Sequence, residues 1–137
     1  TAQQLINVQN DLNKKGYGLL IYDAYRPKRA VKDFLQWSKN PMQHAVELAR
    51  KEKHYPDITK AQLFSLGYVA EDSGHCYGNT VDLVLVDLKT GKPFNMGARF
   101  DFMGEKSHLD ATPDRIGLDA FRYRQILQSA MIKYGFE

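Results

Sequence analysis

The sequence predicts an α+β fold with a largely antiparallel sheet. Helical and strand patterns are mixed along the chain without regular βαβ alternation. Two short runs, 17–25 and 80–88, are rich in aliphatic, aromatic and β-branched residues, which is typical of strands. The stretches between and around these runs carry apolar residues at helical spacing.

The first three elements are expected to be a helix, a strand and a second helix. Residues 5–12 carry apolar side chains near helical spacing and are followed by two lysines and Gly16, a typical helix stop. Residues 17–25 then predict a short buried strand, because the run is aromatic and aliphatic. A second helix is expected over 29–39, since the residue before Pro41 is disfavoured in helical geometry.

The rest of the chain is predicted to alternate in the same irregular way. Thr59 favours the start of a short helix because its side chain can cap the first turn. The strand over 80–88 precedes a turn at 89–93, so we expect it to pair with a neighbour across that turn. The further elements expected are helices over about 42–52 and 59–66, a Gly-punctuated loop over 94–108, and a helix over 119–133.

Composition narrows the class of protein. The chain has 137 residues, of which 43% are hydrophobic, as expected for one globular domain. Its single cysteine, Cys76, excludes a disulfide framework within the chain. The net charge is only +3 and basic residues are interspersed with acidic ones, which argues against nucleic-acid binding. No apolar run approaches the ~20 residues of a membrane span, and residues 1–10 lack a signal pattern, so we expect a cytoplasmic protein.

His75 and Asp82 are candidate metal ligands. His75 lies in a Gly-flanked loop and Asp82 on the strand that follows, so the loop can fold back and aim both side chains at one point. An imidazole nitrogen and a carboxylate oxygen are normal zinc ligands. The spacing by itself favours the alternative to a metal site, in which Asp82 faces solvent and His75 is a loop histidine without a ligand role. The hydrophobic neighbours of Asp82 weigh against it, because a buried carboxylate needs a metal or an arginine as partner.

Arg26 is a candidate for stabilising negative charge. It follows the first strand and precedes Pro27, so its backbone is fixed at the end of the sheet. A fixed guanidinium is suited to stabilise an oxyanion next to a metal. The alternative, a surface arginine in a basic patch with Lys28 and Arg29, stays open on these grounds.

Other reactive side chains are weaker candidates. Three further histidines are potential ligands: His44, His54 and His108. Each is more often exposed or hydrogen-bonded than a ligand, and Glu105 and His108 would meet only in a helical segment. Cys76 beside His75 suggests a nucleophilic pair, but adjacent residues on an extended backbone point to opposite sides, which argues against it.

Three motifs together resemble the D-alanyl-D-alanine dipeptidases, most closely those of the vancomycin-resistance type. Residues 73–82, Ser-Gly-His-Cys-Tyr-Gly-Asn-Thr-Val-Asp, resemble the family's Ser-x-His-x-x-Gly-x-Ala-x-Asp zinc motif. Residues 22–27 match its Tyr-Asp-x-Tyr-Arg-Pro segment, and residues 96–101 its Met-Gly-x-x-Phe-Asp segment. Residues 105–108 and 135–137 fit as well, so the resemblance spans nearly the whole chain in the right order.

The resemblance implies a zinc peptidase of the group that includes lysostaphin-like and hedgehog-like domains, with a small central, mainly antiparallel sheet flanked by helices. It implies His75 and Asp82 as ligands of one zinc ion and Arg26 as the residue that stabilises the tetrahedral intermediate. Ser73 and Asp101 would bind the small D,D-dipeptide, with Asp101 suited to its ammonium group. The implied reaction is hydrolysis of D-Ala-D-Ala to two D-alanines by a metal-activated water.

The chain also departs from the family pattern. Thr80 stands where the family has alanine. The family's Glu-x-x-His motif, which supplies the third zinc ligand and the catalytic glutamate, is expected beyond residue 137. We therefore expect residues 1–137 to be a single peptidase-like domain without the N- and C-terminal parts of the family domain. Two alternatives follow: a D,D-carboxypeptidase or endopeptidase acting on cell-wall peptides, with the 42–60 loop setting substrate length, or a catalytically inactive peptide-binding domain.

Overall fold

A computed structural model describes residues 1–40 and 44–137 of the chain. Strands β1 (Tyr17–Asp23) and β2 (Asp82–Asp87) form a two-stranded antiparallel sheet. The helices are α1 (Ala2–Asn13), α2 (Lys28–Lys39), α3 (Ala45–His54), α4 (Lys60–Ser65), α5 (Pro113–Ile116) and α6 (Leu118–Lys133). Two short 3₁₀ turns lie at Gly74–Tyr77 and Glu105–Ser107. The α+β prediction with antiparallel pairing is confirmed.

The sheet register changes at the end that carries the polar residues. Ile21 pairs with Leu83, but the next paired residue of β1 is Asp23, opposite Asp82, so Tyr22 is an extra residue in β1. Such a bulge bends a strand and re-aims its side chains. It brings the carboxylates of Asp23 and Asp82 to the same end of the sheet.

The main core forms where α1 and α6 pack against the sheet. Its buried members are Val8 and Leu12 of α1, Leu85 of β2 and Ala130 of α6. Apolar residues of α6 pack around them, as the helical stripe in its sequence predicts: Tyr123, Ile126, Leu127 and Met131. These contacts hold β2 from one side and leave its first residue, Asp82, at the rim.

A buried ion pair joins α2, α3 and α4. Glu47 is 8% exposed and Lys60 is 7% exposed, and Lys60 Nζ lies 3.1 Å from Glu47 Oε2. The indole Nε1–H of Trp37 donates to the same oxygen at 2.9 Å, and Arg50 also pairs with Glu47. Desolvation alone would raise the pKa of Glu47, but hydrogen bonds from Trp37 and Lys60 and the nearby cationic charges outweigh it, so the pKa is lowered.

Some local expectations are wrong. β1 is not a buried strand, because the side chains of Leu20, Ile21 and Tyr22 are 37–48% exposed. Because α1 and α6 pack on one face of this two-stranded sheet, the side chains of β1 that point away from these helices remain exposed. The expected pairing of β2 across the 89–93 turn is confirmed but short: it consists of one antiparallel bridge, between Val86 and Pro93, and the ladder of β2 is formed with β1.

The helix expected over about 42–52 is described from Ala45 to His54, and its expected start at Met42 lies outside the described residues. The predicted helices near the N-terminus and at 59–66 and 119–133 are confirmed within a few residues. Within residues 1–40 and 44–137, none of the helices combines the length and the apolar character that crossing a bilayer requires.

Candidate metal centre and active site

The end of β1, the start of β2 and two loops line one open cleft. The five residues to which the family resemblance gives a role all line it: Arg26, Ser73, His75, Asp82 and Asp101. The cleft lies at the end of the sheet where the bulge brings Asp23 opposite Asp82. The sheet therefore positions two carboxylates, and the loops supply the imidazole and the guanidinium.

The 3₁₀ turn at Gly74–Tyr77 fixes the backbone of His75. Ser73 begins this turn, and its hydroxyl oxygen accepts the His75 N–H at 3.3 Å while its carbonyl accepts the Cys76 N–H at 2.9 Å. Gly74 lets the loop pack closely, since a Cβ there would lie 2.1 Å from Thr80 Oγ1. Gly74 therefore leaves room for the side chain of Thr80, which is larger than the alanine of the family motif.

The imidazole of His75 is buried and held in one orientation. Its Nδ1 lies 2.7 Å from the carbonyl oxygen of Ala24. Because a carbonyl oxygen only accepts, Nδ1 must carry the proton, and the lone pair of the neutral ring is then on Nε2. Nε2 lies 3.5 Å from Asp82 Oδ2. The Arg26 N–H also donates to the His75 carbonyl at 3.0 Å, which ties this turn to the end of β1.

Arg26 lies between two carboxylates. Its Nε and Nη2 donate to Asp23 Oδ2 at 2.8 and 2.6 Å, and Nη2 is 3.7 Å from Asp82 Oδ2. Desolvation alone would raise the pKa of Asp23, but the hydrogen bonds and charge of Arg26 outweigh it, so the pKa is lowered. Asp23 therefore stays ionised and holds the guanidinium in place.

Asp82 is not buried, contrary to the expectation from its hydrophobic neighbours. Its side chain is 38% exposed to the cleft. The prediction fails because the neighbouring Val84 and Leu85 pack inward while Asp82 begins the strand at its open end. The guanidinium of Arg26, with Nη2 3.7 Å from Asp82 Oδ2, nonetheless compensates part of its negative charge.

In the part of the chain that the structure describes, one group of three side chains has the geometry to hold a metal ion. Its members are Asp23, His75 and Asp82, whose ligand atoms lie within 4.8 Å of one another. Asp23 was not singled out from the sequence. The sequence feature that indicates Asp23 is its position three residues before Arg26, since this spacing allows the two side chains to form an ion pair. Since Asp23 is engaged by Arg26, His75 Nε2 and Asp82 Oδ2 are the better placed atoms for a cation.

Asp101 lies across the same cleft on the 94–108 loop, which is observed as a loop with one 3₁₀ turn. Its side chain remains exposed, and its backbone φ is 56°, in the left-handed region. Partial desolvation, followed by the negative charge of Asp82, raises the pKa of Asp101. A cation bound in front of Asp101 would offset the repulsion from Asp82 and stabilise the ionised carboxylate.

The other candidates lie apart from the Asp23–His75–Asp82 group. His108 Nε2 is 2.7 Å from the Tyr68 hydroxyl, Glu105 pairs with Arg115, and His54 Nδ1 is 3.2 Å from the Asp101 carbonyl oxygen. His44 directly precedes α3. The argument against Cys76 assumed an extended backbone, and that assumption is wrong because the segment is a 3₁₀ turn.

An oriented histidine and a carboxylate in an open cleft are the ligand types of catalytic zinc sites, and an arginine beside them can stabilise developing negative charge, so the site has the groups that a metal-dependent hydrolase needs. A family model described as D-ala-D-ala dipeptidase, peptidase M15, matches residues 1–137. The chain belongs to this family, and the resemblance seen in its motifs is confirmed.

Three curated proteins named D-alanyl-D-alanine dipeptidase are similar to the chain. The one from Enterococcus faecium is 42% identical over 136 residues, 99% of this chain and 64% of the relative. The one from Enterococcus faecalis is 45% identical over 122 residues, 89% of this chain and 57% of the relative. The one from Escherichia coli is 33% identical over 121 residues, 88% of this chain and 50% of the relative. The chain thus spans between half and two-thirds of the length of these relatives.

Proposed function

We propose that the protein hydrolyses the dipeptide D-Ala-D-Ala to two D-alanines, with a zinc ion held by His75 and Asp82. The observation that carries the proposal is the buried, oriented imidazole of His75, whose Nε2 lies 3.5 Å from Asp82 Oδ2 in an open cleft. Membership of the D-ala-D-ala dipeptidase family and the names of the similar proteins support this choice of substrate.

His75 and Asp82 suit zinc because they offer one neutral nitrogen and one anionic oxygen. A bound zinc ion would polarise the peptide carbonyl and lower the pKa of the attacking water. The Ala24 carbonyl would keep the Nε2 lone pair of His75 directed at the ion, as such partners do in other zinc sites. We propose no ligand role for Asp23, since its carboxylate is engaged by Arg26.

Arg26 is assigned to the negative charge that develops on the carbonyl oxygen in the transition state. Two hydrogen bonds to Asp23 hold its guanidinium before substrate arrives, so little reorganisation is needed when charge develops. Its Nη2 lies close to Asp82 Oδ2, and hence beside the proposed ion. The unused donors of the guanidinium remain for the substrate oxygen.

Ser73 and Asp101 are assigned to substrate binding. The Ser73 hydroxyl oxygen accepts the His75 N–H, which leaves its own O–H to donate to the dipeptide. Asp101 offers a carboxylate to the dipeptide's ammonium, and that ammonium would offset the repulsion from Asp82. An ammonium subsite of this kind selects free dipeptides over longer chains, whose amine is blocked.

We further propose that the enzyme acts in the cytoplasm and removes D-Ala-D-Ala from the supply for cell-wall synthesis, as expected for the vancomycin-resistance type. The single cysteine agrees with a compartment in which disulfides are rare. This role requires hydrolysis of the free dipeptide and sparing of D-Ala-D-Ala that is already part of a longer peptide.

A peptide panel tests the proposal. The full natural chain, loaded with zinc, is given D-Ala-D-Ala, N-acetyl-D-Ala-D-Ala and a tripeptide ending in D-Ala-D-Ala, and released D-alanine is quantified. We expect kcat/KM for the free dipeptide to exceed that for the blocked peptides by about 100-fold or more. Equal cleavage of the longer peptides would favour the carboxypeptidase or endopeptidase alternative. Binding of dipeptide without release of D-alanine would favour the inactive domain.

A further inference from the structure

Asp101 occupies a backbone conformation that needs support from its surroundings. It lies at the third position of a turn over residues 99–102, closed by a hydrogen bond from the Phe102 N–H to the Arg99 carbonyl at 3.2 Å. Among the described residues, Asp101 is the one non-glycine with a positive φ, 56°. Aspartate tolerates this region better than most residues, but the conformation still costs free energy. Such strain persists only where other contacts enforce it.

His54, the last residue of α3, makes one hydrogen bond to this turn and one to the residue that follows it. Its Nδ1 lies 3.2 Å from the Asp101 carbonyl oxygen, so Nδ1 carries the proton and donates it to that carbonyl. Its own carbonyl oxygen accepts the Met103 N–H at 2.7 Å. The two hydrogen bonds lie on either side of Phe102 and hold the peptide units around the strained residue.

His54 can hold the turn because α3 is itself fixed. Glu47, in the first turn of α3, is tied to Trp37 and Lys60 by the buried ion pair. Tyr55, which follows His54, is 1% exposed and packs edge-on against Trp37 with ring centroids 5.8 Å apart. The support for Asp101 therefore comes from a packed helix rather than from another loop.

We propose that His54 is a positioning residue for the ammonium subsite, and that its Nδ1–H bond to the Asp101 carbonyl keeps the Asp101 carboxylate directed into the cleft. The inference rests on the proposed function, in which Asp101 binds the ammonium of the dipeptide. Without the Nδ1–H bond, the turn relaxes to a less strained backbone, and the carboxylate is present in the binding geometry for only part of the time. Substrate binding then weakens, while the zinc ligands and Arg26 are unaffected.

The experiment compares His54→Leu, His54→Asn and a control, Lys53→Ala, in the full natural chain. Leucine removes the donor and keeps much of the volume, whereas the asparagine amide can donate from nearly the same position as Nδ1. Lys53 is an exposed neighbour in the same helical turn. Amide hydrogen exchange at Phe102 and Met103 is measured without substrate, and kcat and KM are measured with D-Ala-D-Ala and zinc.

We expect His54→Leu to speed exchange at both amides and to raise KM about tenfold with kcat within about twofold, the pattern of lost binding energy. His54→Asn should recover most of both losses, and Lys53→Ala should resemble the wild type. Unchanged exchange, unchanged KM, or a His54→Asn variant as impaired as His54→Leu would each overturn the role of His54, while the wild-type enzyme stays active. A wild-type chain that releases no D-alanine with zinc bound would instead overturn the proposed function, and the role of His54 with it.

Discussion

Arg26→Ala separates transition-state stabilisation from metal binding. The substitution removes the guanidinium that bonds to Asp23 and lies 3.7 Å from Asp82 Oδ2. It keeps the backbone N–H that donates to the His75 carbonyl, so the histidine turn stays attached to β1. The ion pair with Asp23 involves side chains that are 23% and 28% exposed, so its loss should cost only about 1 kcal/mol of folding free energy.

The expected loss in turnover is much larger. Removing one preorganised donor from a developing oxyanion lowers kcat by about 10²–10³, which corresponds to ~2.7–4 kcal/mol of transition-state free energy. Arg26 presents several donors and a full charge, so we expect a loss at or above the upper end of that range. Zinc affinity should be unchanged or higher, because a positive charge near Asp82 has been removed.

The assay measures kcat, KM and bound zinc for Arg26→Ala, with Arg26→Lys and Arg29→Ala as companions. Lysine keeps the charge but cannot form the two-pronged bond to Asp23, so its kcat should be intermediate. Arg29 is exposed and its removal should have little effect. A fall in zinc content that parallels the fall in activity would refute the assignment, and so would a kcat within about tenfold of the wild type.

Three further substitutions test the site and its supports. His75→Ala should abolish zinc binding in a metal titration, and undiminished affinity would remove it from the ligand set. Glu47→Gln should cost about 2 kcal/mol of unfolding free energy by leaving buried Lys60 underpaired. Because folding lowers the pKa of Glu47, this contribution is present above its ordinary value of 4.5 and is lost as pH falls through the folded value. In denaturant titrations, a difference from wild type that did not shrink as the pH was lowered from 4.5 would contradict the assignment. Gly74→Ala should lower the Tm through its collision with Thr80 Oγ1, and adding Thr80→Ala should recover part of the loss.

The helices were predictable because their stop signals and apolar spacing act locally. Gly16, which the sequence predicts as a helix stop, follows α1 and has a φ of 83°, in the left-handed region typical of helix ends. The exposure of β1 was not predictable in the same way, since it depends on how many strands and helices cover the sheet. A short apolar run such as that of β1 has the same sequence pattern whether its strand belongs to an exposed two-stranded sheet or to a sheet covered on both faces.

The sequence predicts which residues form the site, but it does not predict the ion pairing of Asp23 or the exposure of Asp82. The motif spacing singled out His75, Asp82 and Arg26, and the structure brings them to one cleft. The role of Asp23 depends on a bulge at Tyr22, which one sequence does not reveal. The exposure of Asp82 follows from its place at the first residue of β2, a boundary that sequence patterns locate only approximately.

The zinc dependence of D-alanine release tests the account most directly. The full natural protein is stripped of metal with a chelator, assayed with D-Ala-D-Ala, and assayed again after stoichiometric zinc is added. The account predicts that release of D-alanine stops without metal, returns with zinc, and does not return in His75→Ala. Undiminished turnover by the metal-free protein, or full recovery of His75→Ala with zinc, would contradict it.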